Sequence, residues 1–204
     1  MGKILKAGKR YTFSDYFELN HPTKEILAEF GYQYRFEQLN LPHSSQEIGR
    51  LDRLRETYTK KLPLISLTSE AAKREFYISP LLLELLDYIR AEVDVEYPLD
   101  SGENLSGAID YLVKSNDNRF VIIEAKKGDL EKGFNQLSVE LIALDKWLGP
   151  DPADLYGAVT LGDVWRFGVL IRCQKILKKD LNAYTLLSNL ELLVSILLGI
   201  LELP

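Results

Sequence analysis

The chain has 204 residues, 46% hydrophobic and 27% charged, with 25 Lys and Arg against 30 Asp and Glu for a net charge of −5, a composition typical of a globular domain. One cysteine, Cys173, and two histidines, His21 and His43, exclude a disulfide scaffold and a Cys/His zinc module. An acidic chain is also no general nucleic-acid coat, since neutralising phosphates takes an excess of positive charge. Any polyanion must be met through a local patch or a metal ion.

The basic residues at the start run into Tyr11-Thr12-Phe13 instead of an apolar signal segment, so an untargeted, cytoplasmic protein is expected. The expected organisation is one domain over 1–204: a helical extension over 1–65, a core over 66–180 and a C-terminal helix within 181–204. In the extension, residues 22–30 stop at Gly31 and residues 45–62 stop before Pro63. Both read as helices with polar faces, capping the rest. Thr68 and Ser69 supply cap residues ahead of Ala71, Ala72 and Lys73. The apolar run 78–86 continues as buried helix, with Pro80 at a kink or a fresh start.

After Arg90 the period changes, and Val93-Asp94-Val95-Glu96-Tyr97 alternates as a half-buried strand does. The apolar runs 107–114 and 119–126 are separated by Ser115-Asn116-Asp117-Asn118, which is turn chemistry and predicts a hairpin. Asp129 is placed to cap a helix reaching Trp147, with Phe134, Leu137, Leu141 and Leu144 as its apolar stripe. Residues 156–161 and 164–173 predict another strand pair, turning at Gly162-Asp163. Trp147 and Trp165 both lie in apolar-periodic segments and are expected in the core. Residues 186–203 are apolar almost all round but too short without interruption for the ~20 residues of a membrane span. They predict a buried helix or one docked on a second copy, which would make a homodimer. The fold class is therefore α/β of the mixed α+β kind, a central mixed sheet flanked by helices.

The second hairpin strand ends in Val121-Ile122-Ile123-Glu124-Ala125-Lys126. Side chains alternate, so Glu124 and Lys126 share a face. An acid beside so apolar a strand is costly unless it is paired or bound to a metal. A three-residue loop over 116–118 sets Asp110 opposite Glu124, whereas a four-residue loop sets it opposite Ile123 and on the wrong face. The shorter loop is expected. An acid-x-Lys triplet alone says little, because about two arise by chance in such a composition. Its position after an aspartate-bearing strand and before a capped helix is what informs. The competing reading is a structural ion-pair network at a sheet edge.

Asp110, thirteen residues, then Glu124-Ala125-Lys126 resembles the PD-(D/E)XK nuclease superfamily, the restriction endonuclease-like fold. The likeness is closest to the nuclease portion of type I restriction subunits and to uncharacterised cyanobacterial-type proteins with a similar Ile-Glu-Ala-Lys strand. It covers about residues 69–172. Ile109 stands where the motif name has proline. The resemblance implies metal-dependent hydrolysis of DNA phosphodiesters, on branched or single-stranded DNA among other forms. Asp110 and Glu124 would hold Mg²⁺ or Mn²⁺, and Lys126 would assist the attacking water. It also implies catalytic parts for Gln136 on the following helix and Glu70 on an upstream one, with Glu75 as the alternative to Glu70. Two carboxylates suffice for a hard cation that keeps waters. A cation beside Lys126 would disfavour its ammonium by like charge. Lys132, Gln136 and Glu140 form an i, i+4, i+8 line that turns Gln136 toward this site. Lys127 and Lys132 flank it, as phosphate contacts or as solvated lysines. Arg50, Arg53, Arg55, Lys60 and Lys61, interrupted by Asp52 and Glu56, read as a solvated helix face. His21 and His43 receive no role. The alternative is a nuclease-like fold kept as a non-catalytic binding or assembly module.

Overall fold

The computed structural model describes residues 4–6, 8–49, 51–126 and 128–203. Its strands are β1 (Gln33–Glu37), β2 (Ala91–Asp100), β3 (Ser106–Ser115), β4 (Phe120–Ala125), β5 (Leu155–Thr160), β6 (Val164–Ile171), β7 (Ile176–Asp180) and β8 (Tyr184–Thr185). They form one mixed sheet in the order β1-β7-β6-β5-β4-β3-β2, with β8 paired to β6. The β1/β7 and β4/β5 pairs are parallel and the others antiparallel. Helices α1 (Phe13–Glu18), α2 (Thr23–Glu29) and α6 (Leu130–Leu148) cover one face. Helices α3 (Asp52–Glu56), α5 (Ser79–Leu85) and α7 (Leu190–Leu201) cover the other, and the short α4 (Glu70–Lys73) precedes α5. The mixed α/β class expected from the sequence is the one observed.

Two core layers explain the unbroken apolar run of β4. Val121, Ile123 and Ala125 join the layer under α7, while Ile122 joins the layer under α6. A strand covered on both faces has no solvent side to mark with polar residues. The β3–β4 turn has the three-residue loop over 116–118: Ser115 N–H donates to Arg119 O at 2.9 Å, and Asn118 sits at φ 56°. That is the left-handed position such a loop needs and Asn tolerates. Helix α6 begins as expected, with Asp129 Oδ1 accepting from the N–H groups of Glu131 and Lys132 at 2.9 and 3.1 Å. Pro80 lies in the first turn of α5, a fresh start after the π-helical turn Arg74–Ile78.

The N-terminal expectation needs correction. Residues 1–65 are not a wholly helical cap, because β1 enters the sheet as its edge strand beside β7. Tyr34 and Phe36 alternate with Gln33, Arg35 and Glu37, and Tyr34 meets Phe134 edge-on, with ring centroids 6.5 Å apart. Helix within 45–62 is confined to α3 and the π-helical turn Thr57–Lys61, followed by a 3-10 turn at Leu62–Leu64. Strand β7 was also not expected. Trp165 is fully buried as anticipated, but Trp147 in the last turn of α6 is 53% exposed and belongs to no core layer.

Nine of the twelve residues of α7 are buried within this chain. The apolar surface that suggested a homodimer is thus covered by α5, β4 and the segment before α3. Among the described residues no helix is long and apolar enough to cross a membrane. The segment over 38–49 lies across α7, where Ser44 N–H donates to Ser195 O at 2.9 Å. It is admitted by Gly199, where a Cβ would stand 2.6–2.7 Å from backbone atoms of His43. Gly199→Ala should therefore destabilise the fold by about 1–3 kcal/mol, since backbone cannot swing away as a side chain can. Urea unfolding measures it, and an unchanged midpoint would contradict this packing.

Candidate carboxylate site at the end of β4

The β3–β4 ladder closes with Tyr111 opposite Ile123, so the next positions outward are Asp110 and Glu124. This is the register expected from the short loop. The strands part there, and Asp110 Oδ2 accepts the Ala125 N–H at 2.9 Å. Ile109 and Tyr111 fall in opposite core layers, which shows that the alternation of β3 breaks at Asp110. Across on β2, between the Val95–Tyr111 and Tyr97–Ile109 pairs, Glu96 sits at φ 54°. A non-glycine residue there carries strain of the kind that concentrates at functional sites.

Glu124 points from β4 toward α6 and is fully buried. Its Oε1 is ion-paired with Lys126 Nζ, and its Oε2 has no donor. Above it on α6 lies Glu140, also fully buried, whose Oε1 accepts from Gln136 Nε2 at 2.9 Å while Oε2 has no donor. Helix α6 comes this near because Gly133 replaces a side chain in its first turn: a Cβ there would stand 2.7 Å from Val159 and 3.0 Å from Lys126. Burial raises Glu124 well above the usual carboxylate range, and the carboxylates of Glu140 and Asp110 raise it further against the pull of Lys126. Burial likewise pushes Glu140 up to about 7, opposed by the Gln136 hydrogen bond. One proton held between two buried acids is the ordinary outcome when like charges are confined together.

Lys126 behaves in the opposite sense to the sequence expectation. Burial pulls its ammonium down, but Glu124, with Asp110 and Glu70, outweighs burial and holds it above the usual lysine value. The depressed lysine of the sequence analysis requires a cation beside it, and in the protein alone its neighbours are acids. Glu70, in the first turn of α4 and capped by Ser69 Oγ accepting from Ala72 N–H at 3.0 Å, is thus near enough to act on Lys126. Glu75 is exposed and takes no such part.

Two residues gain parts that the sequence did not assign. Glu140 was placed on the right helix line, but the local pattern held no sign that it would be buried against Glu124. Arg74 opens the π-helical turn after α4, a local irregularity common at functional sites. Its Nη1 lies 3.4 Å from Asp110 Oδ1 and 3.1 Å from Glu96 Oε1, with the guanidinium over the Tyr111 ring. Asp110, Glu124, Lys126 and Gln136 are brought together, with Glu70 at the rim. Among the flanking basic residues, Arg55 pairs with Glu191 at 2.5 Å and Lys60 with Glu56 at 2.9 Å, as for a solvated helix face. Lys127 and Arg50 lie outside the described residues.

Among the described residues no three His, Cys, Asp or Glu side chains converge into a ready metal cage. The donor set nevertheless fits a hard divalent cation. Its ligating atoms are all carboxylate oxygens, and among the described residues the buried Glu124 Oε2 and Glu140 Oε2 meet no N–H or hydroxyl donor, only the proton the two acids share, a place that a cation with waters can take. The Asp110 and Lys126 side chains, 15% and 11% exposed, and the rim residue Glu70 are where solvent reaches the set, while Glu124 and Glu140 are fully buried. No family model, no curated protein and no solved structure significantly matches this chain.

Proposed function

We propose that the protein is a Mg²⁺- or Mn²⁺-dependent nuclease of the PD-(D/E)XK kind, hydrolysing phosphodiester bonds of DNA. The observation that carries this reading is the convergence of Asp110, Glu124 and Lys126 where β3 and β4 part, with a second acid, Glu140, buried against Glu124. A wholly structural ion-pair network around Lys126 has no need of a second buried acid beside Glu124, since confining two like-charged groups away from water is costly.

Asp110 and Glu124 would hold the cation, with Glu140 behind Glu124. When bound, the cation lowers the pKa of a coordinated water and neutralises charge developing on the phosphate. Lys126, whose Nζ lies on Glu124, orients the attacking water at the solvent-reached rim and exchanges a proton with it. Arg74 holds Asp110 by its ion pair, and Gln136 fixes the Glu140 carboxylate by its hydrogen bond. Glu70 adds to the field that keeps Lys126 charged before substrate arrives.

The direct test is a thermal shift with Mn²⁺ and Mg²⁺, followed by incubation with plasmid, single-stranded and branched DNA. Both a metal-dependent rise in the midpoint and cleavage of at least one substrate are expected. Stabilisation with no cleavage of any of the three would instead leave a non-catalytic binding or assembly module.

A further inference from the structure

The face of the sheet that carries Glu124 continues past the first turn of α6. Glu124 pairs with Val159 on β5, and Val159 pairs with Arg166 on β6, so all three project to the same side. Two strand spacings put Arg166 roughly 10 Å from Glu124 along the sheet. On the same face, Gly168 pairs with Lys179 on β7, and Lys179 pairs with Phe36 on the edge strand β1. Here two cations meet two aromatic rings, the buried Phe134, 5.0 Å from Lys179 Nζ, and the half-exposed Phe36. Lys179 Nζ lies 5.3 Å from the Phe36 ring centroid and the Arg166 guanidinium 6.0 Å from it.

The counter-charge in this cluster is poorly matched to its cations. Lys179 is only 1% exposed, and burial lowers its affinity for a proton. Its carboxylate partner is Glu131 at 2.5 Å, a side chain 67% exposed. The same carboxylate serves Arg166 only at 3.5 Å, and Arg166 Nε is buried with no acceptor. Phe36 stays 50% exposed beside them. Two cations thus share one exposed surface acid, next to a half-exposed ring. An anion with several acceptor oxygens would satisfy both cations better than one carboxylate does. Phosphate joined to a flat base would use the ring as well.

We infer that Arg166, Lys179 and Phe36 form a subsite for one nucleotide of single-stranded nucleic acid, its phosphate displacing Glu131 from the two cations and its base lying on Phe36. This rests on the nuclease reading for its purpose: Val159, between Arg166 and Glu124, is buried under α6, so a strand from the subsite would pass over the N-terminal end of α6 to reach Asp110 and Lys126. On the other flank of α6, Lys126 and Lys132 lie 5.4 and 6.0 Å from the Phe17 ring, so the path keeps the same cation and aromatic character past the carboxylates. A single strand is specified because a base inside a duplex has no free face to lay on Phe36.

The test is the affinity of a fluorescein-labelled oligothymidylate for the full chain, by anisotropy at low salt in EDTA. Phe36→Ala should weaken binding about tenfold, as expected for one stacked base, with Phe36→Tyr restoring it. Arg166→Gln should weaken it and reduce the salt slope by about 0.7, one phosphate contact on a single strand. Glu131→Gln should tighten it severalfold by removing the competing carboxylate. Thermal midpoints show that each variant is folded. Unchanged affinity in Phe36→Ala, no tightening in Glu131→Gln, or equal affinity for duplex would each overturn the subsite. Cleavage is scored separately with Mn²⁺. No cutting by the wild type with these binding changes intact sinks the nuclease reading alone, and cutting without the binding changes sinks the subsite alone.

Discussion

Asp110→Asn and Lys126→Met should each lower metal-dependent DNA cleavage by on the order of 10²–10⁴-fold, the range for removing one positioned acid–base group at Lys126, matched at Asp110 by loss of a ligand to the cation that activates the water. They should do so for different reasons, which other measurements separate. Asparagine at 110 keeps an oxygen to accept the Ala125 N–H but loses the charge that pairs with Arg74 and would hold the cation. Its fold should persist while its thermal response to Mn²⁺ falls. Methionine at 126 preserves the buried stem against Gly133 but takes the cation off Glu124. Glu124 then keeps its proton to higher pH, and the variant should still gain stability from Mn²⁺, with no cleavage. Multiple-turnover assays on the best substrate decide the matter. Cleavage within threefold of wild type in both variants would refute the catalytic assignment.

The second large effect is on stability as a function of pH, in the protein without metal. Glu140 has an ordinary value of 4.5 that burial pushes up to about 7, and burial raises Glu124 in the same direction. The groups facing Glu140 are Gln136 on its own helix, Glu124 and Lys126 from β4, and Asp110 from β3. For an acid whose folded value lies above its unfolded one, the folded state binds more protons in between. Stability is then complete below about pH 4.5 and declines as pH rises through 7. Glu140→Gln should flatten this decline and raise metal-free stability at pH 8 by about 1–3 kcal/mol, the cost of an unsatisfied buried polar group. A cation takes the place of the proton, so the rise in midpoint with Mn²⁺ should be larger at pH 8 than at pH 6. Urea denaturation of both proteins from pH 5 to 8 tests this. A flat wild-type profile, or one that Glu140→Gln leaves as steep, would overturn it.

Much of the candidate site could be read from local pattern. The turn residues Asn116, Asp117 and Asn118 imply a three-residue loop, and that loop carries the register setting Asp110 beside Glu124. Alternation puts Glu124 and Lys126 on one face, and Asp129 marks where α6 starts. Edge strand β1 was also legible, in the strict alternation of Tyr34 and Phe36 with polar neighbours, but it was read as part of a helical cap. Strand β7 was not legible in the same way. It holds Lys179 and Asp180, both buried, and their burial depends in part on distant partners: Glu131 for the lysine and the Leu39 N–H for the aspartate, which the nearby Tyr184 hydroxyl also meets.

The sequence by itself thus determined the hairpin, its register, the capped helix behind it and the mixed α/β class, because each rests on residues close together in the chain or on a period of two or 3.6. Tertiary structure alone decided that Glu140 would be buried against Glu124, that Arg74 would clamp Asp110, and that the apolar α7 would be covered by its own chain. Those outcomes depend on which faces meet across the sheet, and burial then raises Glu124 and Glu140 above the usual carboxylate range. The net charge of −5 says nothing of this by itself. It does not show that Glu124 and Glu140 lie buried side by side, or that Arg166 and Lys179 share Glu131.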